Sequence, residues 1–155
     1  MNKKFSFLIF LFVLLFASIS HAAWDIDVSV EANVNGKNVF KIELTGDGTA
    51  LSQNIGPLLN AALSTKTVTS GRWFYRFKTV PGSGDEAPSA TYTVTLTDKF
   101  GDTATLTDRS TSATEKGKIG AYTDSGGYLV MYGYLLLTCT DIGNENTTAI
   151  YLELI

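Results

Sequence analysis

Few residues in this chain can do chemistry. His21 is the only histidine and Cys139 the only cysteine. His21 closes an apolar N-terminal stretch that reads as a removable leader, so the mature chain is expected to carry no imidazole. Without one, neither a Ser-His-Asp nor a Cys-His nucleophilic centre can be built. The histidine-containing zinc sites of most metalloenzymes fall for the same reason. Cys139 sits in the apolar run Tyr134 to Thr140 and reads as a small buried hydrophobe rather than a reactive thiol. Carboxylate-pair glycoside hydrolysis needs no histidine. A hydrolase is therefore kept as a third reading, although no pair stands out among the 15 acidic residues.

Clustered oxygen donors could hold a hard cation, which makes Asp25 with Asp27, and Asp98 with Asp102 and Asp108, the calcium candidates. Aspartates on a strand face and in turns account for the same residues, and no spaced loop motif supports the ion. No metal and no cofactor is expected. The remaining candidates are aromatic. Trp73 and Tyr75, beside Arg72 and Arg76, could make a sugar-stacking platform, and Tyr128, Tyr132 and Tyr134 another. Aromatics at a two-residue period are more often core. Exposure of Trp73 decides: buried, it favours a scaffold; exposed beside a groove, it favours sugar. Gly46-Asp47-Gly48 and Gly126-Gly127 lack the context of a phosphate loop and read as turns. Asn146-Thr147-Thr148 matches a glycosylation acceptor, a pattern common by chance.

The elements that would position these residues are strands. In Pro88 to Arg109, Tyr92, Val94 and Leu96 alternate with threonines, Asp98 to Asp102 supplies turn residues, and Ala104 and Leu106 resume the alternation. That pattern predicts a hairpin with one buried face. Trp24 to Glu31 alternates as well, Asn35-Gly36 is a hairpin turn signal, and Phe40, Ile42 and Leu44 answer on the returning strand. Leu51 to Lys66, with Gly56-Pro57 before Leu59 and Leu63, reads equally as a short helix or an irregular loop. In Thr67 to Val80, period two puts Trp73, Tyr75 and Phe77 on one face and Arg72, Phe74, Arg76 and Lys78 on the other. Pro81 to Pro88 is a loop. Ser112 and Glu115 match a capping box and allow one helical turn at most. Tyr128 to Thr140 is a long apolar run broken at Gly133, with Leu135, Leu137 and Cys139 toward the core. Asp141 to Asn144 turns the chain into a last strand, Thr147 to Ile155. Short strands with regular turns predict an all-β, antiparallel sandwich, immunoglobulin-like or jelly-roll-like, with at most one or two short helices.

Lys3 and Lys4, the apolar run Phe5 to Ala17 and Ser20-His21-Ala22 read as a secretory signal peptide over residues 1–22. The run is too short to span a bilayer. A single β-sandwich domain is then expected over residues 23–155, 133 residues, enough to bury a core without staples. Loss of Lys3 and Lys4 leaves ten basic against 15 acidic residues, a net charge of −5. That balance argues against nucleic acid and, after leader cleavage, against a membrane as the main partner. The expected location is periplasmic or extracellular.

Val80 to Asp102 (VPGSGDEAPSATYTVTLTDKFGD), Asp108 to Glu115 (DRSTSATE) and Tyr134 to Leu154 (YLLLTCTDIGNENTTAIYLEL) together resemble small β-sandwich proteins encoded among the structural genes of tailed bacteriophages and prophages. The resemblance covers roughly the second half of the chain. A signal peptide departs from it, because virion components are normally assembled in the cytoplasm. It implies a virion-like β-module, placed here on an exported protein, and no catalytic residue. The leading expectation is a non-enzymatic module that acts by surface association or assembly, with a protein partner or a second copy of itself. A carbohydrate-binding module recognising a cell-surface glycan is the alternative.

Overall fold

The computed structural model describes residues 23–34, 37–63, 72–88, 91–107, 114–121, 123, 126–131 and 133–154. The expected leader, the Asn35-Gly36 turn, Thr67 to Gly71, Asp108, Ser112 and Tyr132 lie outside the described residues. Two antiparallel sheets pack as an open sandwich. One runs in the order β1 (Asp25–Val34), β2 (Lys37–Asp47), β10 (Asn144–Leu154), β4 (Arg72–Pro81), β7 (Glu115–Lys118), and β8 (Leu129–Met131) also pairs with β4. The other runs β3 (Leu51–Asn54), β9 (Leu135–Thr140), β5 (Thr93–Asp98), β6 (Thr103–Thr107). One short helix, α1 (Gly56–Leu63), follows β3.

The alternation read from the sequence becomes the core. Phe40, Ile42 and Leu44 of β2 and Ile150, Leu152 and Leu154 of β10 are buried from one sheet. Val94 and Leu96 of β5, Ala104 and Leu106 of β6, and Leu135, Leu137 and Cys139 of β9 meet them from the other. The hairpin forms as expected, with Leu96 opposite Ala104 and Thr97 opposite Thr103. Gly101, at φ 90°, closes its turn in the left-handed region that a side chain would resist. Tyr92 is wholly buried, and its hydroxyl lies 3.2 Å from Thr148 Oγ1 in the opposite sheet. Thr148 Oγ1 itself donates to the Val80 carbonyl at 3.3 Å, which leaves Tyr92 as the donor to Thr148.

Four readings change. The segment after Gly48 holds both a strand and a helix: Asn54 Oδ1 accepts from Gly56 N and from Leu135 N, each at 3.0 Å, seating α1 against β9. Leu59 and Leu63 of the helix are buried, as their spacing requires. Glu115 opens a strand rather than a helical turn. The apolar run around Gly133 is two strands, β8 pairing with β4 and β9 with β5, so the chain changes sheet there. Gly46 lies inside β2, which continues to Asp47.

The largest correction is in β4. Its partner register against β10 shifts between Arg76 and Phe74, opposite Glu153 and Leu154. The extra residue, Tyr75, forms a β-bulge that resets the parity of the strand. Phe74 and Phe77 both point inward, while Trp73, Arg76 and Lys78 are all exposed.

Candidate functional site

The bulge collects polar and aromatic residues on the outer face of the six-stranded sheet. Beyond it, Arg76 and Lys78 of β4 stand directly opposite Lys118 and Lys116 of β7. On the other flank Tyr151 of β10 stands beside Lys78 and Glu153 beside Arg76, with Val39 of β2 next to Glu153. These side chains line an open groove of about 520 Å³. Like charges placed directly across a strand pair repel. Here two such pairs adjoin, in a chain with only ten basic residues outside the leader region. Aromatic faces take up part of that charge. The Arg76 guanidinium lies 5.3 Å from the Tyr75 ring centroid and Lys118 Nζ 5.7 Å from it, while Lys78 Nζ lies 5.5 Å from the Tyr151 ring. The hydrogen bond from Lys118 to Tyr75, helped by the charges of Lys118 and Arg76, holds that phenol below its usual pKa.

A second groove, of about 410 Å³, adjoins the first along the strands and has the opposite sign. Asp25 and Asp27 of β1, Glu43 of β2 and Glu86 from the loop after β4 line it, with Thr147 and Ala149 of β10 on its floor. Ala149 and Tyr151 belong to the two grooves and are two residues apart on β10, about 7 Å. Between them Lys41 pairs with Glu43 at 2.9 Å and with Glu31 at 3.7 Å. Its pKa is raised, first by the hydrogen bond to Glu43.

The aromatic candidates separate. Trp73 is 47% exposed and packs on Tyr128, which is 44% exposed, with ring centroids 5.2 Å apart at 52°. Both lie on the outer face, at the end of the basic groove away from the acidic one. Tyr75 belongs to the basic cluster. Tyr134 is exposed beside α1, where its amide approaches Gly56, so it does not join Tyr128. Asp98 is buried and accepts from the amides of Phe100, Asp102 and Val130, which makes it a structural carboxylate. Cys139 is buried, and burial, with the charge of Asp141 added, pushes its thiol up to about 12. Sequence reasoning missed Lys116 and Lys118 altogether. The available signal was two basic pairs at strand spacing, Arg76-x-Lys78 and Lys116-x-Lys118, but only the fold sets them side by side.

Among the described residues no group of His, Cys, Asp and Glu is placed to hold a metal ion, and no helix is long and apolar enough to cross a membrane. No protein-family model and no curated protein sequence matches the chain.

Proposed function

We propose that the protein is an exported, non-enzymatic module that acts by surface association through the outer face of its six-stranded sheet. The observation that carries this reading is the pair of like-charge contacts, Arg76 opposite Lys118 and Lys78 opposite Lys116. Like charges face each other in both pairs, and an oppositely charged surface would relieve that repulsion. Lysines on β7 also discourage edge-to-edge strand pairing, which directs association to the face of the sheet. The groove offers four cations, Tyr151 and one carboxylate, which are groups for binding. Export rests on Lys3, Lys4, the apolar run and Ser20 to Ala22, and the resemblance to phage structural proteins fits a role in assembly.

Lysine footprinting tests the reading without assuming a partner. The protein is labelled with an amine-reactive reagent in the cell or particle fraction where it accumulates, and again after purification and dilution. Lys78, Lys116 and Lys118 are expected to be protected in the first sample and labelled in the second, with Lys99 labelled in both. Equal labelling of the three lysines would contradict the reading. Intact mass of the same material is expected to start at Ala23; a mass retaining residues 1–22 would contradict export by cleavage.

One observation favours a second reading. Trp73 is exposed and paired with Tyr128 beside the basic groove, the placement that a sugar-binding surface needs. Affinity electrophoresis in polysaccharide gels tests it. Retardation that is lost in Trp73→Ala would support glycan binding, and unchanged mobility in neutral and acidic polysaccharides would exclude it.

A further inference from the structure

Two grooves of opposite sign lie side by side on one face of the six-stranded sheet. The basic groove carries Arg76, Lys78, Lys116 and Lys118 against Glu153, three positive charges in excess. The acidic groove carries Asp25, Asp27, Glu43 and Glu86, with Lys41 paired to Glu43, three negative charges in excess. A polyanion would satisfy the first groove and be repelled by the second, and a polycation the reverse. One kind of surface satisfies both at once: the same face, turned over.

We infer that a second copy of this chain docks on the outer face of the six-stranded sheet, the basic groove of each copy lying over the acidic groove of the other. The inference rests on the reading of this face as the association surface and names its partner. A two-fold axis in the plane of the face, between the two grooves, superposes them twice over. Such an interface is isologous and closes at a dimer. Its size follows from the sheet. Four strands of ten or eleven residues and the four-residue β7, about 4.8 Å apart with about 3.3 Å per residue, present at most roughly 700 Å² per copy. The total of at most about 1,400 Å² lies in the lower part of the range for specific association. Charge carries most of the attraction, so the dimer is weak and dissolves in salt. The acidic residues come from β1, β2 and the loop after β4, and the basic ones from β4 and β7; all lie on the face of the sheet, so neither sheet edge has to open.

Sedimentation velocity of the mature protein over a concentration series, at about 0.05 M and about 0.5 M NaCl, tests this, since the screening length falls severalfold between them. A dimer at low salt that dissociates at high salt is expected. Lys78→Glu with Lys116→Glu, and separately Asp25→Lys with Asp27→Lys, replace exposed residues only, so both double variants are expected to keep the wild-type circular dichroism. Each alone is expected to dimerise at least about tenfold more weakly. An equimolar mixture of the two restores both groove pairings and is expected to dimerise again. Three results would overturn the inference: a monomer at all concentrations, a dimer indifferent to both reversals, or a monomer that binds polygalacturonate through Lys78 and Lys116. If the protein is monomeric but the three lysines are protected in the native fraction, the face is an association surface for another partner. If they are unprotected too, the wider reading fails with it.

Discussion

The carboxylate of Asp98, at the end of β5, accepts a hydrogen bond from the amide of Val130 in β8, 3.2 Å away in the opposite sheet. Its other oxygen accepts from Phe100 N at 2.8 Å and Asp102 N at 3.1 Å, so one buried side chain closes the hairpin turn and ties the two sheets. Removing it leaves three amides short of an acceptor. Asp98→Ala is expected to cost about 2–4 kcal/mol, and Asp98→Asn, which keeps one carbonyl oxygen, clearly less. Denaturant midpoints measure both. A loss under about 0.5 kcal/mol for the alanine variant would mean that water replaces the carboxylate.

Gly56 opens α1, where alanine would ordinarily favour the helix. A Cβ at Gly56, however, would stand 2.4 Å from the Gly133 carbonyl oxygen and 2.6 Å from the Tyr134 amide nitrogen. Both contacts are backbone at the point where the chain changes sheet. Gly56→Ala is expected to destabilise by about 2 kcal/mol or more, through strain rather than lost contacts. A thermal melt at or above the wild-type midpoint would show that the Gly133 crossing can yield.

Neighbouring positions of β5 test the two faces of the central strand. Val94 is buried and Thr95 only partly so, paired between Thr105 and Thr138. Val94→Ala is expected to cost about 1–3 kcal/mol, and Thr95→Ala about 0.5 kcal/mol or less. Equal losses would show that a further layer covers the threonines.

These strands were legible because their period matches their burial. Val94 and Leu96, or Ile150 and Leu152, alternate with polar residues, and one register satisfies each strand. β4 defeated the same reading. Trp73 and Arg76 share a face only because Tyr75 bulges against β10, and that pairing joins residues far apart in sequence. β7 was invisible for a different reason: Glu115 to Lys118 is a short edge strand with nothing apolar to alternate. The basic groove drew on β2, β4, β7 and β10, and a net charge averages such a cluster away. The turn role of Asp98 and the apolar surroundings of Cys139 were legible from local chemistry, whereas the bond from Val130 to Asp98 depends on the packing of the two sheets.

Two buried acids are expected to make stability fall in alkaline solution. Burial raises the Tyr92 phenol, against the opposing effect of its hydrogen bond to Thr148, and pushes the Cys139 thiol up to about 12 from 9.0. Both groups stay protonated in the folded chain at pH values where the unfolded chain releases the proton. Their contribution is complete below the unfolded pKa and is lost as pH rises toward the folded one. For Cys139 stability is therefore expected to fall between about pH 9 and 12, by at most about 1.4 kcal/mol per pH unit. Denaturant midpoints of wild type and Cys139→Ala across this range separate the thiol, since the variant starts lower but declines less steeply. Parallel slopes would show that Cys139 does not titrate on unfolding.

Zero-length carbodiimide cross-linking of an equal mixture of ¹⁴N- and ¹⁵N-labelled protein, at low salt, measures the docking of the sheet face most directly. Lys41 and Glu43, 2.9 Å apart, supply the internal control and link within one copy. Links from Lys78, Lys116 or Lys118 to Asp25, Asp27 or Glu43 that join a light copy to a heavy one are the expected result. Lys41 links alone, with no mixed-isotope link between the two grooves, would contradict the docking of one copy on another through this face.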